Sequence, residues 1–529
     1  MTADGNTVLP GRSVNPWLLA PIVAMAAFME VLDISIANVA LQHIAGSLSA
    51  SQEESTWILT AYLVSNAIVL PISGWLSTVM GRKRFFMACI AGFSLSSLLC
   101  GIAPTLGLLI LFRTLQGATG GGLQPVSQAV LTDAFPPHQR GMAFAFYGMA
   151  VVFAPAIGPT LGGWITDNAS WHWVFLINVP VGVILLLLTE ALVHDSEDQE
   201  AERQRRLANG FRVDYVGLGL LAIGLGFLQV VLDKGQQNDW FDSGMILWMT
   251  VTCTVALVAF VFWELRRDNP VVEVSLFRDR NFLFGNILMF MLGFILLGST
   301  VLIPLYVQSL LGYTAMDAGL VLSPGGFVIM LAMPVVGRLV SRFDARWIIM
   351  AGLLLGAGAL FHMSSFSAAT DYESIMLARI VQAIGLGFLF IPITTVAYAN
   401  LSRFQSDAGS AIVNLSRNLG GSVGISLAVT VLARRSQVHQ HALVSNVSAY
   451  SDSYQRTAQG LSHALSSASA SASGALQQAQ SVIYGLVQGQ ARMLAFVDDF
   501  RIMGAIFVAM IPLAFLLRRS AAGDAPPAH

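Results

Sequence analysis

The chain has 529 residues, of which 55% are hydrophobic and only 11% are charged, and its net charge is -2. Soluble domains carry about 25% charged residues, so this composition excludes a soluble globular protein and indicates a membrane protein. A chain with so little net charge also lacks the basic field that binds nucleic acid.

Apolar segments of membrane-spanning length recur from one end of the chain to the other. A span needs about 20 mostly apolar residues. This criterion predicts fourteen transmembrane helices, at 17–40, 54–78, 84–103, 107–131, 141–165, 171–192, 213–232, 245–264, 282–309, 317–341, 346–366, 373–398, 409–432 and 498–518. The polar residues 1–16 carry no cleavable signal pattern, so we expect the first span to remain in the protein.

The basic residues predict how these helices are oriented. If the N-terminus is inside, 17 arginines and Lys83 fall on the inner face, and the short outer loops hold only Lys234. Because loops on the inner side are enriched in Lys and Arg, this pattern predicts that both termini are cytoplasmic.

The spans fall into two sets of six, separated by an insertion. The predicted units are a cytoplasmic tail at 1–16, an N-terminal six-helix bundle at 17–192, cytoplasmic linkers at 193–281 with two inserted helices at 213–232 and 245–264, a C-terminal six-helix bundle at 282–518 and a cytoplasmic tail at 519–529. The second bundle contains a long outer loop at 433–497, rich in Ser, Ala and Gln. Two interpretations of this loop are open: a polar loop, or an amphipathic hairpin that docks a periplasmic partner.

The two sets of spans partly repeat each other. Arg113 and Gln116 of the first set align with Arg379 and Gln382 of the second. Such repeats are typical of transporters in which two bundles enclose a substrate site near the membrane midplane and open it alternately to each side.

Three charged residues lie deep within predicted helices. Glu30 and Asp33 share one helix face, and a rise of 1.5 Å per residue puts Glu30, Asp33 and Arg113 at about 20, 24 and 21 Å from the inner surface. Intramembrane charges are costly and usually functional. We expect Asp33 to be the main proton carrier, Glu30 a second carrier or part of a cation site, and Arg113 to tune both. The alternative is a static ion cluster that joins helices.

Four sequence signatures occur in order on these helices. They are VLDISIANVALQHI at 31–44, GWLSTVMGRKRF at 74–85, LFRTLQGATGGG at 111–122 and GPTLGG at 158–163. Together they resemble the major facilitator superfamily, specifically its 14-span drug:proton antiporters of the EmrB/QacA type. At the position of the usual aspartate of the second signature the chain has Thr78.

The resemblance implies an all-α polytopic membrane protein with the major facilitator fold, two six-helix bundles plus two extra helices. It also implies residue roles. The predicted substrate cavity contains Asn38, Gln116 and Gln124; the antiporter motif of helix five contains Pro155, Gly158, Pro159, Gly162 and Gly163; the cytoplasmic gate loop contains Gly74, Gly81, Arg82 and Lys83; and the polar residues of the second half are Arg379, Gln382, Asn414 and Arg417. For Arg417 we expect a backbone carbonyl or an inner-face acid as partner, or extension toward the membrane surface.

The function implied is proton-coupled export of lipophilic or cationic amphipathic compounds across a bacterial inner membrane by alternating access. Relatives of this type work with a periplasmic membrane-fusion adaptor and an outer-membrane channel. The alternative is an exporter of the same fold for one specific metabolite, siderophore or fatty acid. A channel needs no poised ionisable pair, and the chain has no HExxH or GxSxG motif that would indicate an enzyme. No cofactor or metal site is predicted.

Overall fold

The computed structural model describes residues 15–193, 204, 214–267, 270–402, 405–445, 447–448, 451–465 and 472–518. Within these ranges every regular element is a helix. The predicted N-terminal tail up to residue 14, nearly all of the charged linker between 194 and 213, and the C-terminal tail at 519–529 lie outside the described residues.

The main helices are numbered in chain order. They are α1 Pro16–Ser47, α2 Trp57–Met80, α3 Arg82–Gly101, α4 Leu106–Gly120, α5 Leu123–Ala134, α6 Pro137–Asn168, α7 Asn178–Leu192, α8 Tyr215–Lys234, α9 Gly244–Glu264, α10 Arg280–Ser309, α11 Ala315–Val340, α12 Ala345–Met363, α13 Tyr372–Ala397, α14 Ser406–Val444, α15 Asp452–Leu465 and α16 Ala472–Leu516. The described residues include 13 helices long and apolar enough to cross a membrane. The predicted all-helical membrane fold is therefore confirmed.

The fourth predicted span is divided between two helices. The sequence predicts one helix over 107–131, but α4 ends at Gly120 after 15 residues and α5 is a separate helix of 12 residues. Neither is long enough to cross the membrane alone. The break falls at a run of glycines, where a Cβ on Gly122 would lie 2.6 Å from the Cys89 sulfur. Only glycine permits the chain to pass so close to α3.

Polar residues next to the apolar stretches start several helices. Their side chains accept hydrogen bonds from the first exposed backbone N–H groups, which have no partner within the helix. These N-caps include Asn15 for α1, Thr105 for α4, Asp214 for α8, Asp279 for α10 and Asp371 for α13. The predicted starts of these spans lie within a few residues of the caps.

Several helix pairs join the two halves of the chain. We call α1–α7 the first bundle and α10–α16 the second. The main contacts between them are those of α6 with α11 and of α2 with α14. A Cβ on Gly337 would lie 2.9 Å from the Gly141 carbonyl oxygen, and a Cβ on Gly74 would lie 2.9 Å from Ala408 Cα. Small residues thus let the backbones of the two bundles approach closely.

The inserted hairpin, α8 and α9, contacts both bundles. Helix α8 packs against α2 and α14. Gln229 on α8 accepts a hydrogen bond from Ser422 on α14 at 3.0 Å, and Trp240, after α8, donates one to Thr430 at 3.2 Å. The insertion therefore lies against the line where the two bundles meet.

The predicted long outer loop is mostly helical in the described residues. Helix α14 continues through 433 to Val444, α15 follows, and α16 begins at Ala472. At 1.5 Å per residue the 39 residues of α14 and the 45 of α16 extend about 59 and 68 Å, well beyond a hydrocarbon core of about 30 Å. We call the protruding parts of these helices and α15 the extension. The interpretation as a polar loop is wrong here, whereas docking of a partner is untested.

Candidate functional site

Asp33 lies at the centre of a buried polar cluster inside the first bundle. Its Oδ2 accepts a hydrogen bond from Arg113 Nη1 at 2.5 Å, and its Oδ1 accepts one from Gln116 Nε2 at 3.0 Å and one from Asn178 Nδ2 at 2.7 Å. The side chains of Asp33 and Arg113 are completely buried. Charge-assisted hydrogen bonds of this kind offset the high cost of burying two ions.

Side chains of neighbouring helices hold Arg113 in place. Its guanidinium lies 4.3 Å from the centre of the Tyr62 ring and 5.5 Å from that of Phe175, and its Nε donates to the Ile58 carbonyl at 3.3 Å. A cation above an aromatic face is stabilised by the ring quadrupole. The structure thus brings Asp33 and Arg113 together, and the proton-coupling role predicted for them stays a prediction.

Glu30 lies one helical turn before Asp33 and has different partners. Its Oε1 accepts a hydrogen bond from Asn66 Nδ2 at 2.9 Å, and Gln124 is its other polar neighbour. Its Oε2 is buried and has no hydrogen-bond partner among the described residues. A buried polar atom without a partner is unusual and costly, so this oxygen is an unsatisfied acceptor among the described residues of the site.

Arg417 approaches Glu30 from the second bundle. Its Nη2 donates a hydrogen bond to Gln124 Oε1 across the interface between α14 and α5, and its charge is close enough to act on Glu30. Arg417 is 6% exposed. The expected partners of Arg417, a backbone carbonyl or an inner-face acid, and its expected extension toward the surface are therefore wrong. Sequence spacing does not reveal which helix of the other bundle a side chain faces.

A second set of polar contacts crosses the same interface. Asn414 Nδ2 donates to Gln128 Oε1 at 2.8 Å, and Tyr398 Oη donates to the same oxygen at 2.7 Å. Gln128 belongs to the first bundle, whereas Asn414 and Tyr398 belong to the second. The middle of the interface is thus polar on both sides and suits a ligand with polar groups.

The three residues predicted to line a substrate cavity lie in different environments in the structure. Gln116 is fully buried in the Asp33 cluster, and Gln124 is buried at the interface. Asn38 is exposed and lies five residues beyond Asp33 on α1. Of the three, only Gln124 therefore lies beside Glu30 and Arg417.

The repeat partner of Arg113 has a different environment. Arg379 Nη1 donates to Gln382 Oε1 at 2.7 Å, which parallels the contact between Arg113 and Gln116. Its other described partners are the hydroxyl groups of Ser299 and Thr300. Arg379 is 4% exposed, and all of these partners are uncharged. The second bundle thus holds a buried cation whose described partners include no carboxylate.

An ionic contact joins the bundles at the end that carries Arg82, Arg140 and Arg342, which we call the arginine-rich end. Arg82 Nη1 lies 2.5 Å from Asp133 Oδ2, and Arg82 Nη2 lies 2.6 Å from Asp407 Oδ2. Asp407 belongs to the second bundle. Thr78, which replaces the family aspartate, instead donates to the Gly74 carbonyl.

The other gate-loop residues lie close to Arg82 but have different partners. Gly81 has φ 87°, a backbone conformation that favours glycine, and it lets α3 start at Arg82. Lys83 Nζ donates to the Glu190 carbonyl at 2.8 Å. Sequence reasoning missed Asp133 and Asp407, although acidic residues at the ends of apolar spans were a visible signal.

The antiporter motif lies on α6, between α1 and α11. Ser35 Oγ donates to the Pro155 carbonyl at 3.4 Å, and a Cβ on Gly158 would lie 2.2 Å from that Ser35 oxygen. Gly162 packs against Ile36 in the same way, whereas a Cβ on Gly163 meets nothing within 4 Å. The motif therefore permits close packing of α6 against the helix that carries Glu30 and Asp33. Pro159 continues α6 without ending it.

Residues 23–430 match the sequence profile of the Major Facilitator Superfamily. The chain belongs to this superfamily. Multidrug export protein EmrB of Haemophilus influenzae is 40% identical over 435 residues, which cover 82% of this chain and 84% of that protein. Fatty acid resistance protein FarB of Neisseria gonorrhoeae is 35% identical over 507 residues, 96% of each chain. The predicted resemblance to the EmrB type is thereby confirmed.

A solved structure of a major facilitator protein has the same fold. The proton:xylose symporter XylE matches with a TM-score of 0.58 at 13% identity, over 81% of this chain and 90% of that one. At this identity the likeness shows the fold alone. The chain is thus a multi-pass membrane protein with the major facilitator fold.

Proposed function

We propose that this protein is a proton-coupled exporter of lipophilic or cationic amphipathic compounds in a bacterial inner membrane. The observation that carries the proposal is the pair of carboxylates on α1, of which Asp33 is neutralised by Arg113 and Glu30 keeps an oxygen without a described partner. The identity with EmrB over most of the chain supports drug export.

The difference between the two acids suggests a division of labour. Asp33 accepts three hydrogen bonds, including one from a guanidinium, so both of its carboxylate oxygens have partners within the first bundle. Glu30 has fewer partners and lies beside the interface, so we infer that Glu30, rather than Asp33 as the sequence predicts, is the main carrier. It binds a proton and the cationic group of a substrate in turn. Asp33 and Arg113 then keep α1 in position. Their charges also set a constant electrostatic field around Glu30.

Arg417 gives Glu30 a link to the movement of the bundles. An ionised Glu30 attracts Arg417 toward the first bundle, and a protonated or cation-bound Glu30 loses that attraction. A ligand shifts an equilibrium between two conformations only if it binds them with different affinity. Because Arg417 belongs to the other bundle, loading Glu30 changes the relative energies of the closed and open interfaces.

We propose that the arginine-rich end faces the cytoplasm, which puts both termini there and the extension in the periplasm. The extension then offers helices α14, α15 and α16 to a periplasmic adaptor, and through it to an outer-membrane channel. Opening toward the cytoplasm must break the contact of Arg82 with Asp407, and opening toward the periplasm must separate Thr160 from Ser323, whose hydroxyl oxygens are 3.1 Å apart.

The test is transport of ethidium into inside-out proteoliposomes under an imposed pH gradient. We expect the wild type and the control Glu373→Gln, an exposed residue at the end of the bundle opposite Arg82, to transport equally well. Glu30→Gln should abolish stimulation by the gradient, and Asp33→Asn should reduce transport. If Glu30→Gln retains full stimulation, Glu30 is not the coupling residue. If neither the wild type nor any variant responds to the gradient, the protein is a facilitator.

A second candidate function is export of fatty acids or similar amphipathic anions. Arg379, whose described partners are uncharged, favours it, as does the identity with the fatty acid resistance protein FarB. A carboxylate substrate would supply the missing counter-ion. If oleate is transported instead of ethidium, and Arg379→Gln removes that transport, this second function is the correct one.

A further inference from the structure

A small cavity lies far from the Glu30 site, at the arginine-rich end of the inserted hairpin. It has a volume of about 270 Å³ and lies between the end of α9 and the segment 270–278 that leads into α10. Sites for drug-sized ligands are about 300–1,000 Å³. The cavity is therefore too small for a typical exported compound and suits a smaller polar group.

A buried carboxylate lines this cavity. Glu264 is 3% exposed, and its Oε1 has no hydrogen-bond partner among the described residues. Its Oε2 accepts a long hydrogen bond of 3.5 Å from the Val272 backbone N–H, and the Val271 backbone is a further polar neighbour of the carboxylate. A Cβ on Gly217 would lie 2.8 Å from Oε1, so glycine at that position leaves room for the carboxylate. An unpaired buried acceptor of this kind calls for a donor with positive charge.

The rest of the lining has mixed charge. Arg267 and Arg278 are both exposed, and Glu273 is half-buried. The guanidinium of Arg267 lies 4.5 Å from the centre of the Trp263 ring, and its Nε lies 4.0 Å from Asp214 Oδ2. Two arginines oppose a simple cation, and the described residues contain no group of three or more His, Cys, Asp or Glu side chains suited to a metal. Charge complementarity favours a ligand with one ammonium and one phosphate.

The position of the cavity indicates a membrane lipid as the source of that ligand. Helix α9 has 21 residues and rises about 31 Å, which matches the hydrocarbon core of a membrane. If its first residue lies at one membrane surface, its last residue, Glu264, lies at the level of the lipid headgroups on the other side. Leu265 at the rim and Phe262 one turn earlier are each 59% exposed, which provides an apolar track for acyl chains. Basic pockets between transmembrane helices are known to bind lipid headgroups.

We propose that this cavity binds the phosphoethanolamine headgroup of a membrane phospholipid, with its ammonium on Glu264 and its phosphate between Arg267 and Arg278. The bound lipid connects the inserted hairpin to the segment that leads into the second bundle. The inference does not depend on the transport function, because it concerns a different part of the molecule.

The test is native mass spectrometry of the full chain with dioleoyl lipids that differ only in the headgroup. We expect phosphatidylethanolamine to bind about tenfold more tightly than phosphatidylcholine, whose methylated ammonium cannot donate hydrogen bonds. Glu264→Gln should remove this preference, and the control Glu373→Gln should keep it. Equal binding of the two lipids to the wild type, or an unchanged preference in Glu264→Gln, would overturn the proposal.

Two further arms make the test sharper. Arg278→Gln changes an exposed side chain and should fold normally, yet it should weaken binding of phosphatidylethanolamine several-fold. An unchanged affinity in this variant would show that Arg278 does not bind the phosphate. Tighter binding of phosphatidylglycerol than of phosphatidylethanolamine would contradict a zwitterionic ligand. Soluble phosphoethanolamine that binds as tightly as the lipid would show that the source is not the membrane.

Discussion

Glu30 and Asp33 lie one helical turn apart on α1, yet Asp33 binds Arg113 within the first bundle while Glu30 lies beside Gln124, which binds Arg417 of the second. The two carboxylates therefore have different partners despite their shared helix face. One is part of the internal structure of a bundle, and the other is adjacent to the surface at which the bundles must separate. This difference is the basis of the first two predictions.

Removing Arg113 should destabilise the protein strongly. In Arg113→Met the Asp33 carboxylate remains buried without its counter-ion, and breaking a buried ion pair in this way costs about 3–5 kcal/mol. The double variant Asp33→Leu with Arg113→Met should recover most of this loss, because no buried charge is left. Thermal unfolding in detergent measures both effects, with the exposed Arg342→Met as the control. Equal destabilisation of the single and double variants would contradict a mutual ion pair.

Removing Arg417 should affect binding and turnover in opposite directions. Without its positive charge, Glu30 attracts a cationic substrate more strongly, so Arg417→Gln should lower the Kd of ethidium about fivefold, or roughly 1 kcal/mol. Turnover should fall, because the link between Glu30 and the second bundle is lost. Binding fluorescence and proteoliposome transport measure the two quantities. A higher Kd of ethidium in Arg417→Gln would contradict this role. So would an equal decrease of the Kd in the control Arg342→Gln.

Breaking the ionic contact at the arginine-rich end should open that end of the interface. Arg82→Ala leaves Asp133 and Asp407 close together without the cation between them. We expect Ser410→Cys, a fully buried position one turn after Asp407 on α14, to react faster with a soluble maleimide in this background. The measurement needs a chain in which Cys89, Cys100 and Cys253 have been replaced. An unchanged labelling rate would show that the contact does not hold the interface closed.

Two glycines of the antiporter motif provide a matched pair. Gly158→Ala puts a Cβ 2.2 Å from Ser35 Oγ and should force α6 away from α1, whereas Gly163→Ala meets no atom within 4 Å. We expect the first variant to lose most gradient-driven transport and the second to retain it. Ser35→Gly should restore part of the activity of Gly158→Ala, because it removes the clashing side chain. Loss of activity in both single variants would point to a role other than packing against α1.

The sequence by itself determined the membrane character of this protein, most of its spans and the three charges at similar depth. Helix length and burial depth depend on the apolar pattern along the chain, and each predicted span of 20 or so residues needs only its own residues to satisfy its backbone. The repeat that aligns Arg113 with Arg379 also needs no structure, and the fold that it implied was confirmed.

Only the tertiary structure decided which side chains meet. The partners of Glu30, Arg417 and Arg82 lie on distant helices, and they depend on how each helix is rotated about its axis and packed against its neighbours. The apolar pattern carries little of this information, because inward- and lipid-facing sides of a membrane helix are both apolar. The division of the fourth span was likewise decided by packing, because a glycine at position 122 lets the chain pass close to Cys89. For the extension the sequence had left a polar loop and a helical hairpin open, and the structure decided between them.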